Sequence, residues 1–297
     1  MSIYSKNISP AIFWLAILAF SGAEFRLNQW ECLLVMFAAL ELVPRGLQLL
    51  DIQRNEWYPA LAMGLCAAYF FPGFWYLALP YLAYAVWMTL QDASALVFLK
   101  KRSLADWIRL FALGYWTTGA AFAGMYLADI RPFAFDPVIV SLTAAHFHVA
   151  GFVLAVLIHR LVKENPSTMR QLLGWASLAG MPLVAAGITL NKLGYPAIIE
   201  QLAAMGFVVL ALLYVWQQIQ LAFDLRYSQT SRWLWLGGVS SLLVGIALAG
   251  TYALRFQIPI EWVSIPNMKL WHGTLNTLGF AWLSLLAWDK SQTTAKS

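Results

Sequence analysis

"SLTAAHFHVAGFVLAVLIHR", residues 141–160, has no carboxylate and no lysine or arginine before its last position. About 20 apolar residues is the length an α-helix needs to cross the hydrocarbon core of a bilayer. The stretch therefore reads as a membrane span, yet it holds His146 and His148 near its centre. An imidazole at membrane depth needs a partner or a purpose.

Working outward, similar runs recur from one end of the chain to the other. Of 297 residues, 61% are hydrophobic and 11% charged, against about a quarter charged in an average soluble domain. Apolar length and the Pro, Gly and charged breaks predict helices near 9–24, 29–50, 57–71, 74–99, 105–128, 137–162, 169–190, 196–223, 231–254 and 268–288. The fold class is an all-α, polytopic transmembrane bundle of about ten spans, forming a single integral membrane domain over 1–297. Pro72-Gly73 reads as a tight hairpin between two spans, with a kink in a re-entrant segment as the rival. The first run ends in "SGAE" and also resembles a cleavable signal peptide, whose removal would leave nine spans.

The net charge of +5 lies in short basic clusters between the runs, a topology signal rather than a nucleic-acid footprint. No nucleic-acid partner is expected; the bilayer is the partner. With the N-terminus inside, twelve basic residues fall on the inner side and five outside, the latter being Arg26, Arg131, Lys192, Arg255 and Lys269. This bias places both termini in the cytoplasm. Small residues at every fourth position, Gly237, Ser241, Gly245 and Ala249, and likewise Ala120, Gly124 and Ala128, mark close helix packing. Cys32 and Cys66 lie inside apolar runs, where a thiol acts as a small hydrophobe rather than half of a disulfide.

The ionisable residues within the runs carry the functional reading. His146 and His148 lie roughly 14–16 Å below the outer surface and, two residues apart, face nearly opposite ways. His272, about 6 Å down, shares a face with Asn276, about 12 Å down. Glu41 lies about 18 Å down with Arg45 one turn later, either a self-neutralising pair or a functional carboxylate. These residues fall in the outer half of the bilayer on three helices. The expected site holds a transition metal or haem on His146, His148 and His272, with Glu41, Arg45, Asn276 and Thr143 as supporting or proton-relay groups. His159 reads as a solvated residue at the inner surface, and Asp92 and Glu200 as groups near span ends that reach water.

Two stretches, "TAAHFHVAGF" at 143–152 and "HGTLNTLGF" at 272–280, resemble signature segments of the YndJ-like family of bacterial integral membrane proteins. The resemblance implies a multi-pass protein of the bacterial inner membrane and carries over no catalytic residue. A looser similarity links His146-Phe147-His148 to the helix of haem-copper oxidases in which two histidines face two haems. That family needs six histidine ligands, and this chain has four histidines in all, so membership is excluded. A redox or metal-binding membrane protein is the leading expectation. A proton-coupled transporter or permease and a non-catalytic assembly subunit are the alternatives.

Overall fold

The computed structural model describes residues 10–294 apart from Pro72 and Lys100. Among the described residues there is no strand, and a helix lies at each of the ten predicted positions. These helices are α1 (Pro10–Phe20), α3 (Trp30–Leu49), α4 (Tyr58–Phe70), α5 (Leu79–Phe98), α6 (Leu104–Leu127), α7 (Pro137–Glu164), α8 (Thr168–Lys192), α9 (Ala197–Phe223), α10 (Gln229–Ala253) and α11 (265–294). A short α2 (Ala23–Asn28) precedes α3. Five of them, α3 and α7 to α10, are long and apolar enough to cross a membrane. α1 and α4, at 11 and 13 residues, are shorter than the predicted spans.

The helix starts follow from the chemistry of the loops. Ser103 and Asp106 form a reciprocal capping box at α6, with Asp106 accepting from the Ser103 amide at 2.8 Å. Asp136, followed by Pro137, accepts from the Val138 amide at 2.9 Å to open α7. Between α4 and α5 the chain turns at 71–74, where Gly73 takes φ 93°, and the flanking helices pack against each other. That is the hairpin arrangement; Pro72 itself lies outside the described residues. Cys32 and Cys66 are free and buried.

Burial ranks the helices. The apolar core of α3 is 89% buried and that of α7 61%, against 33% for α8, α9 and α10. α3 and α7 therefore form the centre and α8–α10 the periphery. α3 meets α7 along its length, early half to early half and late half to late half, and meets α11 in the same sense. The three run parallel. Their closeness depends on absent side chains: a Cβ on Gly46 of α3 would stand 2.5 Å from the Phe152 ring of α7. The small-residue row of α10 faces α11, where a Cβ on Gly245 would meet Asn276 at 2.7 Å and one on Gly237 would meet Leu283 at 3.0 Å. Gly124, by contrast, faces open space.

Two outcomes are expected. Gly46→Ala should destabilise the purified protein by about 1–3 kcal/mol through overpacking, while Gly124→Ala should leave its melting temperature unchanged. Reporter fusions should place the loops near 100–105 and 160–170 in the cytoplasm and those near 129–136 and 255–268 outside. A reporter active outside at 160–170 would invert the depth assignments.

Candidate functional site

The three central helices share a feature that no periodicity predicts. Each is interrupted by π-helical turns, at Ala38–Leu42 in α3, Phe147–Val153 in α7, and Met268–His272 and Leu275–Ala281 in α11. These segments contain Glu41, His148, His272 and Asn276 in that order. π turns are rare, and they concentrate at functional sites.

His146 and His148 do diverge, and the divergence sorts them chemically. The face of α7 bearing Ile139, Thr143, His146 and Ala150 keeps accessible surface; the face bearing Val140, Ala144, His148 and Phe152 is buried. His148 is fully buried and its Nδ1 donates to the Ala144 carbonyl at 2.8 Å. Its Nε2 accepts from the Tyr81 hydroxyl at 3.2 Å, and Tyr81 in turn accepts from Trp116 Nε1 at 2.8 Å. Both nitrogens are thus satisfied inside an aromatic cluster. Gly119 of α6 makes the room, since a Cβ there would stand 2.5 Å from Nδ1.

His146 is the one that meets His272. The two rings lie 6.0 Å apart, centroid to centroid, with 31° between their planes. His146 Nδ1 donates to the Leu142 carbonyl at 2.7 Å and His272 Nδ1 to the Gly245 carbonyl at 2.9 Å. These bonds leave the lone pair of each ring on Nε2. Asn276 Nδ2 donates to the His272 carbonyl at 2.9 Å and lies 3.2 Å from the His272 Nε2. Thr143 bonds the Ile139 carbonyl at 2.7 Å, one turn from His146 on the same face. Among the described residues, no group of three or more His, Cys, Asp or Glu is placed to hold a metal ion.

Glu41 and Arg45 pair as the i,i+4 spacing suggested, at 2.6 Å, but they are part of a larger network. Glu41 also accepts from Trp282 Nε1 at 2.9 Å, and Arg45 pairs with Asp289, both partners on α11. Among the described residues no hydrogen bond or ion pair joins Glu41 to a histidine. The contacts of Glu41 run to Arg45 on its own helix and to Trp282 on α11.

Three sequence readings are corrected. His159 is 4% exposed rather than solvated, because the start of α6 covers it and the Ala105 carbonyl accepts from its Nδ1 at 2.9 Å. Glu200 does not reach water: it is buried, pairs with Arg255 at 2.6 Å and accepts from Asn191 at 2.5 Å. Lys269, counted as an outer loop charge, is 9% exposed and pairs with buried Glu31 at 3.1 Å. Asp92, only partly buried, pairs with Arg109 at 2.7 Å. Sequence reasoning missed Glu31, Asp289, Trp282 and Tyr81. For Glu31 the signal was a carboxylate at the very start of an apolar run, easily taken as interfacial.

An all-helical chain with several apolar spans and polar groups paired between its central helices is a multi-pass membrane protein. It belongs to the YndJ-like protein family, whose model matches residues 33–280. The chain is 26% identical over 184 residues to "Uncharacterized membrane protein YndJ" of Bacillus subtilis (strain 168). That match covers 60% of this chain and 32% of the relative, so the chain aligns with about a third of the relative's length. No solved structure matches it. The family match takes in both histidines of the pair, Asn276, Glu41, Arg45 and Lys269, and leaves Glu31 and Asp289 outside.

The network also changes what a substitution should do. Arg45→Met removes one guanidinium from two carboxylates and should be the most damaging single change, on the order of 3–5 kcal/mol. Glu41→Gln with Arg45→Met still takes the guanidinium from Asp289, so adding Asp289→Asn should recover much of the loss. Thermal unfolding in detergent compares the three; a double variant as stable as the triple would remove Asp289 from the network.

Proposed function

We propose that this membrane protein binds a divalent transition-metal ion at the His146–His272 pair, in the outer half of the bacterial cell membrane. One observation carries the reading: two imidazoles 6.0 Å apart, each anchored through Nδ1 on a backbone carbonyl. Metal-bound histidines are held in this way, by a hydrogen bond from the nitrogen that does not bind the ion. Metal–nitrogen distances of about 2 Å give two rings on one ion centroids roughly 5–6 Å apart. His146 keeps accessible surface, so its ring is not sealed inside the bundle as that of His148 is.

Two imidazoles do not complete a coordination sphere. Asn276 is the nearest polar side chain on the same helix, and water or cargo would fill the remaining positions. Such a site exchanges its ion readily and differs from a closed structural centre. Haem fits poorly: α7 and α11 touch one turn beyond the pair, along 147–153 and 275–281, and a porphyrin between the rings would force them apart. His148 is set apart from the pair by place: it is fully buried in the aromatic cluster of Tyr81 and Trp116, on the face of α7 opposite the one that brings His146 to His272.

A second reading, a proton-coupled permease, is favoured by the buried ion pairs and helix interruptions along α3 and α11. Metal analysis separates the two. Protein purified and exposed to zinc or cobalt(II) should retain about one ion, and His146→Ala or His272→Ala should each weaken binding roughly 10–100-fold. His148→Ala should lower stability and leave the stoichiometry intact, and His159→Ala should not change binding. Folded wild-type protein that takes up neither metal would transfer the assignment to the permease reading.

A further inference from the structure

We propose that Glu31 is the positioning residue that sets the separation of His146 and His272. Its two oxygens reach the two helices that carry the histidines. Oε1 accepts from Ser141 Oγ of α7 at 3.1 Å, and Oε2 pairs with Lys269 Nζ of α11 at 3.1 Å. Ser141 is five residues before His146, and Lys269 is three residues before His272. One carboxylate thus bridges α7 and α11 about one turn to the outer side of the rings. Two further bonds tie this end of α11 to its neighbours: Lys269 Nζ donates to the Asn28 carbonyl at the end of α2 at 2.5 Å, and Trp30 Nε1 of α3 donates to Thr274 Oγ1 at 2.8 Å.

The need for an external tie follows from the backbone of α11. Its π turns occupy 268–272 and 275–281, leaving only Gly273 and Thr274 between them. A helix interrupted twice within fourteen residues has no regular α-helical ladder to hold the ring of His272 in register with α7. Apolar contacts are non-directional and allow sliding, whereas paired rings must be held to roughly 0.5 Å to share a ligand. Glu31 is 2% exposed and Ser141 fully buried. Burying an ion pair is a weak route to stability and a better one to a single register.

The metal readout rests on the ligand reading of the pair; the distance readout does not. In the full chain, Glu31→Gln keeps the side-chain shape and an acceptor for Ser141 while removing the charge that holds Lys269. Cobalt(II) affinity should fall about tenfold, as for loss of a ligand-orienting partner, with a changed visible band; the melting temperature should fall as well, because Lys269 loses its buried counter-charge. Independently, His146→Cys and His272→Cys are combined with Cys32→Ala and Cys66→Ala and treated with a short bis-methanethiosulfonate, which forms a disulfide with each thiol and releases sulfinate. Adding Glu31→Gln should slow cross-linking between positions 146 and 272 several-fold. If Glu31→Gln does not fold, Ser141→Ala removes only the tie to α7 and should shift both readouts in the same direction. Slower cross-linking, together with folded wild-type protein that binds no cobalt, would sustain the positioning role and overturn the ligand reading. Unchanged cross-linking and unchanged affinity in a folded variant would leave Glu31 a stabilising ion only and overturn the inference.

Discussion

Trp30 and Thr274 are 244 residues apart in sequence and 2.8 Å apart in space, and the rest of the core is arranged around that contact between α3 and α11. Below it the same two helices are joined by Glu41 to Trp282 and by Arg45 to Asp289, and above it by Glu31 to Lys269. Lipid surrounds a membrane bundle with a medium as apolar as its own side chains, so burial alone does not choose which helices touch. Directional polar contacts do. The first and last long helices of the chain are thereby fixed side by side, and α7 packs against both.

The π turns explain how one face of α11 makes all of these contacts. Lys269 and Asp289 are twenty residues apart, and a straight α-helix would turn them roughly 200° away from each other at about 100° per residue. Each π turn takes up about one residue more than an α turn. Two such insertions leave an effective spacing of about eighteen residues, which is five full turns of about 3.6. Lys269 and Asp289 then fall on the side facing α3. The same interruptions lie at His272 and Asn276, so the device that aligns the ion pairs also shapes the site.

This is where reading the sequence succeeded and where it had to stop. Apolar length alone located the helices, and the 200° between His146 and His148 set the two rings on opposite faces of α7, where the structure leaves one accessible and the other buried. Which of them would meet His272 was not legible, because Tyr81 and Trp116, the residues that engage His148, lie on α5 and α6. Asp289 was invisible for a different reason. Helical-wheel arithmetic assumes a constant 100° step, and two extra residues place that carboxylate on the opposite side from where the wheel puts it. Lys269 was misread because counting charges on loops treats any basic residue near a span end as solvated, and Glu31 supplies the partner that lets it be buried.

Gly245 shows why a packing residue and a site residue need not be different things. It belongs to a row of small residues whose spacing predicts only that two helices come close. The approach it permits is specific: without a Cβ, α10 leaves room for Asn276, whose amide would otherwise be 2.7 Å from it. At that distance the Gly245 carbonyl accepts from His272 Nδ1 at 2.9 Å, which fixes the ring and leaves its lone pair on Nε2. Any side chain at 245 would therefore act on Asn276 first and on His272 through it. The helix contact and the state of the imidazole depend on the same missing methyl group.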